Sequence, residues 1–346
     1  MRILLTVDPE IPVPPPHYGG IERIVDGVAT ELRLRGHAVG LVAHPDSTCQ
    51  VERLFAWPRG GSGGLRNGLR NSLALLDAVR QFRPGVVHSF SRLAYLLPLL
   101  ALRIPSIMSY QRHTGGRKLA FAQALGGRSF EFTALSEFIA AMGRRGGGRW
   151  SVIPNFSDTG FYRFEPAVPA DAPLVFLSRI ERIKGAHTAI EIAARAGRRL
   201  IIAGNRVETG EGPAYWREEI EPHLSPGKVD YVGPVNDAQK NELLGGAAAM
   251  LVPIEWDEPF GIVFAEALAC GTPVISCPRG ALPEIVVPGE HGFLVQSIDE
   301  AVAAVAALPG ISRTACRVRC EQLFSRNVVV GQYEALYRRL AREGAE

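Results

Sequence analysis

Along the first half of the chain, short continuous apolar runs alternate with stretches in which apolar residues recur at the spacing of a helix. Over residues 20–35, for example, apolar side chains recur every three or four positions, which predicts an amphipathic helix. The pattern predicts strands at residues 3–7, 38–43, 86–89, 106–110 and 132–135, and helices at residues 20–35, 65–82, 93–102 and 136–143. A Pro-rich loop, residues 9–18, joins the first strand to the first helix. Such alternation indicates an α/β fold with a doubly wound parallel sheet.

The second half repeats this alternation. Strands are predicted at residues 174–178, 199–203, 229–232, 249–253 and 273–276, and helices at residues 186–195, 215–223, 237–245 and 262–270. The Pro-rich polar stretch 166–173 is typical of a domain linker. A chain of 346 residues also exceeds the size at which one core keeps growing. We therefore expect two Rossmann-like domains, residues 1–165 and 166–326, and a C-terminal amphipathic helix within residues 327–346.

The composition, with 47% hydrophobic and 21% charged residues, is that of a soluble globular protein. No run of eighteen apolar residues occurs, so no membrane-spanning helix is expected. The first apolar run is too short, and Asp8 follows it too soon, for a secretion signal, which favours a cytoplasmic protein. The five cysteines form no C-x-x-C pair, which favours buried, reduced thiols over a zinc site or a disulfide framework.

Charge is unevenly distributed between the two halves. Residues 1–164 contain 20 basic and 11 acidic residues, a net charge of +9, whereas the remainder contains 18 and 24, a net charge of −6. A basic half attracts anionic partners such as a lipid-phosphate acceptor, an acidic glycan or an anionic membrane surface. The alternative is that arginine-rich usage reflects composition alone.

The predicted helix at residues 65–82 is both basic and amphipathic. Its apolar stripe comprises Leu65, Leu69, Leu73, Leu76 and Val79, and its basic residues are Arg66, Arg70 and Arg80. Such a helix can lie on a membrane surface. A helix that covers the sheet shows the same stripe, and the sequence leaves both interpretations open.

The segment that begins at Glu258 has the clearest chemical signal. Glu258 is followed by Pro259 and Gly261, which favour a loop, and then by the mostly apolar helix 262–270, in which Glu266 lies one turn in. Backbone N–H groups and the positive dipole end at a helix start attract the anionic part of a phosphorylated ligand. Two flanking carboxylates are suited to binding sugar hydroxyls. A solvated surface helix, the alternative, would carry more charge.

Two glutamates separated by seven residues, in an E-P-F-G frame before A-C-G-T-P-V, resemble the donor-site signature of the family 4 glycosyltransferases. Enzymes of this family are retaining and have the GT-B architecture. The resemblance implies that Glu258 binds hydroxyls of the transferred sugar, assisted by the amides of Gly261, Ile262 and Val263. It also implies that Glu266 binds the ribose hydroxyls of a nucleotide donor.

A second motif of this family lies at a strand-to-helix junction, where doubly wound sheets bind ligands. Residues 178–185, S-R-I-E-R-I-K-G, resemble G-R-x-x-x-x-K-G, with Ser178 in place of the first glycine. The resemblance implies that Arg179 and Lys184 hold the donor diphosphate and neutralise its charge without a metal. Cations at a helix start oppose the helix dipole unless an anion intervenes, which argues against two merely solvated side chains.

Weaker resemblances concern the base site and the first half. Val232 lies in a strand that resembles the one receiving the nucleotide base through backbone contacts. Gly19 and Gly20, just before the first helix, resemble the family's G-G loop, whose amides approach the donor phosphate or the acceptor. A simple turn is the alternative for this glycine pair.

The family often places a histidine six residues after the proline that opens the strand at residues 106–110. That position is Gln111 in this chain, and His113 comes two residues later. Either side chain is a candidate to contact the donor sugar or its phosphate, and His88, at another strand end, is a further candidate.

These features predict a retaining glycosyltransferase with two Rossmann-like domains facing across a cleft. It would transfer a sugar from a nucleotide diphosphate sugar to a glycan, lipid-linked or small-molecule acceptor. The family also implies that the C-terminal helix returns to the first domain. Because the sequence contains neither a D-x-D motif nor a cluster of His and carboxylate residues, we expect no metal and no cofactor beyond the donor substrate.

We expect no nucleic-acid partner, and a peripheral contact with the inner face of an anionic membrane. Two alternatives stay open. One is a non-catalytic subunit that binds nucleotide sugar or scaffolds a partner enzyme. The other is a nucleotide-sugar epimerase, which needs acid and base groups around the sugar, and the sequence offers no obvious pair beyond Glu258.

Overall fold

The computed structural model describes residues 1–16 and 19–344, which form two compact units. Unit 1 combines Met1–Asn155 with the C-terminal segment that begins at Arg326, and unit 2 is Phe156–Ser325. Tyr18, the end of the predicted Pro-rich loop, and the last two residues of the predicted C-terminal segment lie outside the described residues. The chain enters unit 2 after Asn155, whereas the sequence placed the boundary after residue 165.

Unit 1 is a parallel sheet with helices on both faces. Its strands are β1 (Arg2–Thr6), β2 (Ala38–Ala43), β3 (Arg53–Ala56), β4 (Val86–Ser89), β5 (Ser106–Tyr110), β6 (Phe130–Ala134) and β7 (Trp150–Val152). Its helices are α1 (Gly20–Leu34), α2 (Gly64–Phe82), α3 (Leu93–Ala101), α4 (Lys118–Gly126), α5 (Glu137–Arg145) and, from the end of the chain, α13 (Arg326–Glu343). The strand order is β3-β2-β1-β4-β5-β6-β7.

The C-terminal helix α13 completes the core of unit 1. Its apolar side is buried, and Tyr337 lies within hydrogen-bond distance of Nδ1 of His88 in β4, at 2.7 Å. Arg339 donates two hydrogen bonds, of 2.8 and 2.7 Å, to the buried carboxylate of Glu131 in β6. Because a buried charge must be paired, this contact ties α13 to the sheet.

Unit 2 repeats the architecture with six parallel strands. They are β8 (Leu174–Leu177), β9 (Leu200–Ala203), β10 (Val229–Gly233), β11 (Ala249–Val252), β12 (Val274–Ser276) and β13 (Gly292–Leu294), in the order β10-β9-β8-β11-β12-β13. The helices are α6 (Ala186–Arg195), α7 (Gly212–Tyr215), α8 (Asp237–Gly245), α9 (Ile262–Ala269), α10 (Leu282–Ile285), α11 (Ile298–Ala307) and α12 (Arg313–Leu323). The predicted pair of doubly wound Rossmann-like sheets is confirmed.

The predicted helix at residues 215–223 is wrong as a single element. Helix α7 ends at Tyr215, a wider π-type turn covers Trp216–Ile220, and a 3-10 turn covers Glu221–His223. Pro222 has no N–H with which to continue the α-helical hydrogen bonds, so the helix changes pitch before it.

All five cysteines are free thiols, four of them buried and Cys277 half-buried. Among residues 1–16 and 19–344, no single helix combines the length and apolar character needed to cross a membrane; only a pair bent by 95°, Ile298–Gly310 with Arg313–Leu323, does so jointly.

The burial of His88 leads to a prediction about how folding stability depends on pH. Burial lowers its pKa from the usual 6.5 to about 3. In the unfolded chain this imidazole takes up a proton below about pH 6.5, so the unfolded state binds more protons. The contribution of neutral His88 to stability is therefore present above that pH and is lost, at about 1.4 kcal/mol per pH unit, as the pH falls toward its folded pKa.

We expect the ring of His88 to stay neutral in the folded protein at about pH 5, as read from the ¹⁵N shifts of its imidazole. A titration of this ring near pH 6.5 would show that the interior of unit 1 does not exclude its charge.

Candidate active site

The strand order of unit 2 reverses between β8 and β11. From β8 the chain builds outward through β9 and β10, and from β11 it builds in the opposite direction. Doubly wound sheets bind ligands outside the carboxyl ends of the strands at such a reversal. The loop after β8 contains Arg179 and Lys184, and the loop after β11 contains Glu258 and leads into α9. Two motifs that are far apart in sequence therefore meet at one sheet edge.

Lys184 and Glu258 form a buried ion pair at this edge. Nζ of Lys184 donates to Oε2 of Glu258 at 2.6 Å, and their side chains are only 9% and 12% exposed. Nε1 of Trp256 donates to the same oxygen at 3.0 Å, and its ring lies 4.5 Å from the ammonium. Because desolvated charges are costly unless paired and hydrogen-bonded, each side chain fixes the position of the other.

Backbone contacts hold the two loops against each other. The N–H of Glu255 donates to the carbonyl of Ile183 at 2.9 Å. Gly185, at the start of α6, has a φ of 77°, and a Cβ there would lie 2.1 Å from the carbonyl oxygen of Pro253. Only glycine allows this close approach, so the G of the K-G motif is required where the loops meet.

Helix α9 begins directly beside Glu258. Its N-cap residue, Gly261, has a φ of 78° and makes no side-chain capping hydrogen bond. A Cβ on Gly261 would lie 3.2 Å from Cγ of Glu258. The first N–H groups of α9, which include those of Ile262 and Val263, have no acceptor within the helix, and the dipole adds positive potential. Helix α9 thus presents a binding surface for an anion beside a lysine and a carboxylate.

Glu266 is held by a lysine that the sequence analysis missed. Nζ of Lys240, on α8, donates to Oε1 of Glu266 at 2.6 Å and lies 3.3 Å from Oδ1 of Asp237. Burial, together with the nearby Glu266, raises the pKa of Tyr162 above its ordinary value. The available signal was weak: Lys240 is one of only four lysines in the chain and follows the predicted base-binding loop.

The other predicted residues of unit 2 are more exposed. Arg179 forms an ion pair with Glu181, at 3.0 Å between Nη2 and Oε2. Its guanidinium is exposed and does not take part in the Lys184–Glu258 pair. Val232 is exposed near the end of β10, the edge strand of the sheet.

The glycine pair of unit 1 begins a helix, as predicted. Helix α1 starts at Gly20, and a Cβ on Gly19 would lie 2.6 Å from Pro15 and 2.8 Å from the carboxylate of Glu22. Burial raises the pKa of Glu22 above its ordinary value. Glycine is therefore required at position 19 by its contacts with Pro15 and Glu22.

The sequence analysis also missed a charged group at the strand reversal of unit 1. Asp8 follows β1, and Arg92 follows the neighbouring strand β4. Nε of Arg92 and Nη2 of Arg112 lie 3.7 and 3.8 Å from the two carboxylate oxygens of Asp8. Burial raises the pKa of Asp8, and both arginines oppose that shift. The arrangement offers one carboxylate and two exposed guanidinium groups at the same sheet edge.

The candidates for the family's histidine position differ in their exposure to solvent. Gln111 lies directly after β5 and is half-buried, whereas His113 is exposed, with its ring 5.8 Å from that of Phe138. His88 is fully buried and lies within hydrogen-bond distance of Tyr337 and of Ser109, at 2.6 Å from the latter. It is an interior structural residue and no longer a candidate for contact with a ligand.

Over the described ranges 1–16 and 19–344, no three His, Cys, Asp or Glu side chains are grouped so that they could hold a metal ion. Independence from metal stays a prediction.

Two glycines with similar backbones test the packing at α9. Gly261→Ala places a Cβ 2.5 Å from the ring of Phe264, whereas Gly289→Ala, at a φ of 83°, meets no atom within 4 Å. Both substitutions incur about 1–2 kcal/mol for a left-handed residue. We expect Gly261→Ala to lower the free energy of unfolding, measured in urea, by clearly more than Gly289→Ala. Equal losses would mean that Phe264 and Glu258 do not constrain the start of α9.

Known proteins resemble this chain along nearly its whole length. The profile of the family described as Glycosyltransferase Family 4 matches residues 18–161, and that described as Glycosyl transferases group 1 matches residues 160–308. The glycogen synthase of Mycobacterium tuberculosis strain H37Rv is 26% identical over 362 aligned positions, covering 88% of this chain and 85% of that protein.

Solved structures agree. AviGT4, a glycosyltransferase involved in Avilamycin A biosynthesis, is 27% identical, with a TM-score of 0.73 over 99% of this chain and 98% of that one. A glycosyltransferase from Rickettsia africae ESF-5, 18% identical, has the same fold, with a TM-score of 0.79 over 98% of each chain. Since adjoining glycosyltransferase profiles account for both units, the chain belongs to the family 4 glycosyltransferases of GT-B architecture.

Proposed function

We propose that this glycosyltransferase transfers a sugar from a nucleotide diphosphate sugar, with retention of anomeric configuration and without a metal. In this proposal Lys184 and Arg179 neutralise the diphosphate, Glu258 binds the sugar and Glu266 binds the ribose. The acceptor is a glycan, a lipid-linked molecule or a small molecule bound mainly by unit 1. The protein works in the cytoplasm, where it contacts the inner face of the membrane peripherally.

The observation that carries this proposal is the buried Lys184–Glu258 pair at the start of α9. The ammonium of Lys184 has three N–H donors, and the structure shows one of them on Glu258. Both the lysine and Trp256 bind Oε2 of Glu258, which leaves Oε1 to accept a sugar hydroxyl. One fixed unit can therefore bind an anion through Lys184 and a polyol through Glu258.

The start of α9 supports the same arrangement. A departing nucleoside diphosphate gains negative charge, and fixed N–H groups with a nearby cation stabilise that charge more in the transition state than in the ground state. The amides of Gly261, Ile262 and Val263 lie at this helix start. Exposed Arg179 is free to move onto a diphosphate by exchanging Glu181 for the ligand.

Retention then needs no nucleophile from the protein. In the proposed front-face reaction the acceptor hydroxyl attacks the anomeric carbon on the side of the departing diphosphate, and a phosphate oxygen takes the acceptor proton. Gln111 or His113 contacts the donor sugar in this scheme, the Gly19–Gly20 amides approach the donor phosphate, and the backbone near Val232 receives the base.

Lys240 extends the proposal to the ribose. By donating to Oε1 of Glu266, the lysine orients this carboxylate so that it can accept hydrogen bonds from two vicinal hydroxyls. In unit 1, the group formed by Asp8, Arg92 and Arg112 at the sheet edge is the candidate to bind the acceptor.

A panel of nucleoside diphosphates and their sugar conjugates tests the donor class by thermal shift, because a ligand that binds only the folded state stabilises it. We expect one nucleoside diphosphate to raise the melting temperature and its correct sugar conjugate to raise it further. The anomeric configuration of the product, read by NMR, tests retention. The non-catalytic alternative predicts binding without transfer, and membership in a glycosyltransferase family argues against the epimerase.

Lys184 is the residue whose loss should slow the reaction most. We expect Lys184→Ala to lower kcat by about a hundredfold or more, because a preorganised charge at the leaving group is lost. Arg182→Ala is the matched control: Arg182 lies on the same turn but is exposed and bonded to Glu219, so kcat should stay nearly unchanged.

Lys184→Ala leaves the carboxylate of Glu258 without its partner, so the free energy of unfolding of this variant must be measured as well. The double variant Lys184→Met/Glu258→Gln removes both charges and should recover much of the stability without recovering turnover. Unchanged kcat in folded Lys184→Ala would remove the lysine from the mechanism.

Glu258→Ala should reduce discrimination between donor sugars before it reduces affinity for the free nucleotide. The reason is that the carboxylate is assigned to the sugar and the lysine to the phosphates. Calorimetry with the nucleoside diphosphate and with its sugar conjugate measures the two affinities separately. Equal losses for both ligands would contradict the assignment.

A further inference from the structure

Three leucines on α2 are exposed on the surface of unit 1. Leu65, Leu69 and Leu73 are 95%, 64% and 56% exposed, and they are spaced four residues apart, on one stripe of the helix. Surface leucines scattered singly are common, but three in a row over two turns are not explained by chance exposure alone.

The structure shows which face of this helix contacts the sheet. Helix α2 already covers the sheet with a different face, formed by Leu75, Ala78, Val79 and Phe82, all of which are buried in the core of unit 1. Leu76 is half-buried at the margin of that core. The stripe Leu65–Leu69–Leu73 is therefore not the surface that contacts the sheet.

The charged residues on the first two turns of α2, beside Leu65 and Leu69, are basic, and the first acid of the helix, Asp77, follows four residues after Leu73. Arg66 and Arg70 are exposed on the same turns, Arg59 is exposed in the preceding loop, and the sequence has no acidic residue from position 59 to position 76. The first turn of α2 carries no acid either, so cations lie at the positive end of the helix dipole. A layer of anions would relieve this repulsion.

We propose that Leu65, Leu69 and Leu73 dock unit 1 on an anionic lipid bilayer. The leucines enter the boundary between headgroups and acyl chains, and Arg66 and Arg70 bind lipid phosphates. A bilayer fits better than a second protein because the stripe is narrow, about 12 Å from Leu65 to Leu73, and because Arg66 and Arg70 beside it have no acid on the helix before Asp77.

The docking surface is connected to the candidate acceptor edge of unit 1. Ser62, just before α2, donates its N–H to Glu10 at 2.8 Å, and Arg92 donates to the hydroxyl of Ser62 at 2.7 Å. A bilayer held at α2 thus lies next to the loop that positions Arg92. If the proposed transferase function holds, this placement favours an acceptor presented at the membrane surface.

Co-sedimentation with vesicles tests the docking surface without donor or acceptor. The vesicles are phosphatidylcholine alone, or equal parts of phosphatidylcholine and phosphatidylglycerol. We expect binding to the anionic vesicles only, weakened by salt. The variants Leu65→Ser/Leu69→Ser/Leu73→Ser and Arg66→Gln/Arg70→Gln should each weaken it about tenfold or more. The control Leu34→Ser/Leu102→Ser alters leucines that are 76% and 61% exposed elsewhere, and should bind like the unchanged protein.

Absence of binding to anionic vesicles, or equal binding by the triple leucine variant, would overturn the proposal. Self-association that disappears in that variant, without vesicle binding, would assign the stripe to a second copy instead. Nucleotide-induced thermal shifts should be the same in every variant, so failure of the docking surface is distinguishable from failure of the donor site.

Discussion

A lysine and a glutamate removed from water together organise the candidate site. Each of the two charges is costly in that position unless the other pairs with it, and Nε1 of Trp256 donates to the oxygen of Glu258 that also accepts from Lys184. Two glycines position this pair. Gly185 allows its loop to contact Pro253 closely, and Gly261 allows α9 to begin beside the carboxylate of Glu258. A preformed pair needs little rearrangement when charge develops on a ligand, which is the condition under which fixed electrostatics is effective.

Both units place their charged groups by the same topological means. In each sheet the first strand of the unit lies in the interior, and the chain builds outward from it in two directions. The loops that leave the two strands at the reversal have no neighbouring connection between them, so side chains from both can converge. In unit 2 these are Lys184 and Glu258, and in unit 1 they are Asp8 and Arg92.

The sequence was sufficient wherever a local pattern determined the structure. Buried strands and amphipathic helices such as α1 follow from periodicity, and the glycine and glutamate motifs mark the start of α9. The edge strand β3 was missed because three of its four residues are exposed and its pattern is weak. Helix α4 was missed because its apolar residues are spread around the helix. Lys240 was missed because it belongs to no motif, and its position after the predicted base-binding loop does not reveal its contact with Glu266, 26 positions away. The apolar stripe on α2 was visible in the sequence, but only the burial of its residues in the structure shows which face of the helix contacts the sheet.

The position of α13 has a consequence for biosynthesis. Unit 2 is one uninterrupted stretch, whereas unit 1 needs residues 326–343 to supply Tyr337 for His88 and Arg339 for Glu131. During translation, the strands of unit 1 leave the ribosome first but wait for their last helix until all of unit 2 has emerged. Unit 2 can therefore complete its core before unit 1 does, and until α13 emerges the nascent first unit exposes the apolar residues that this helix buries, a surface that chaperones can recognise.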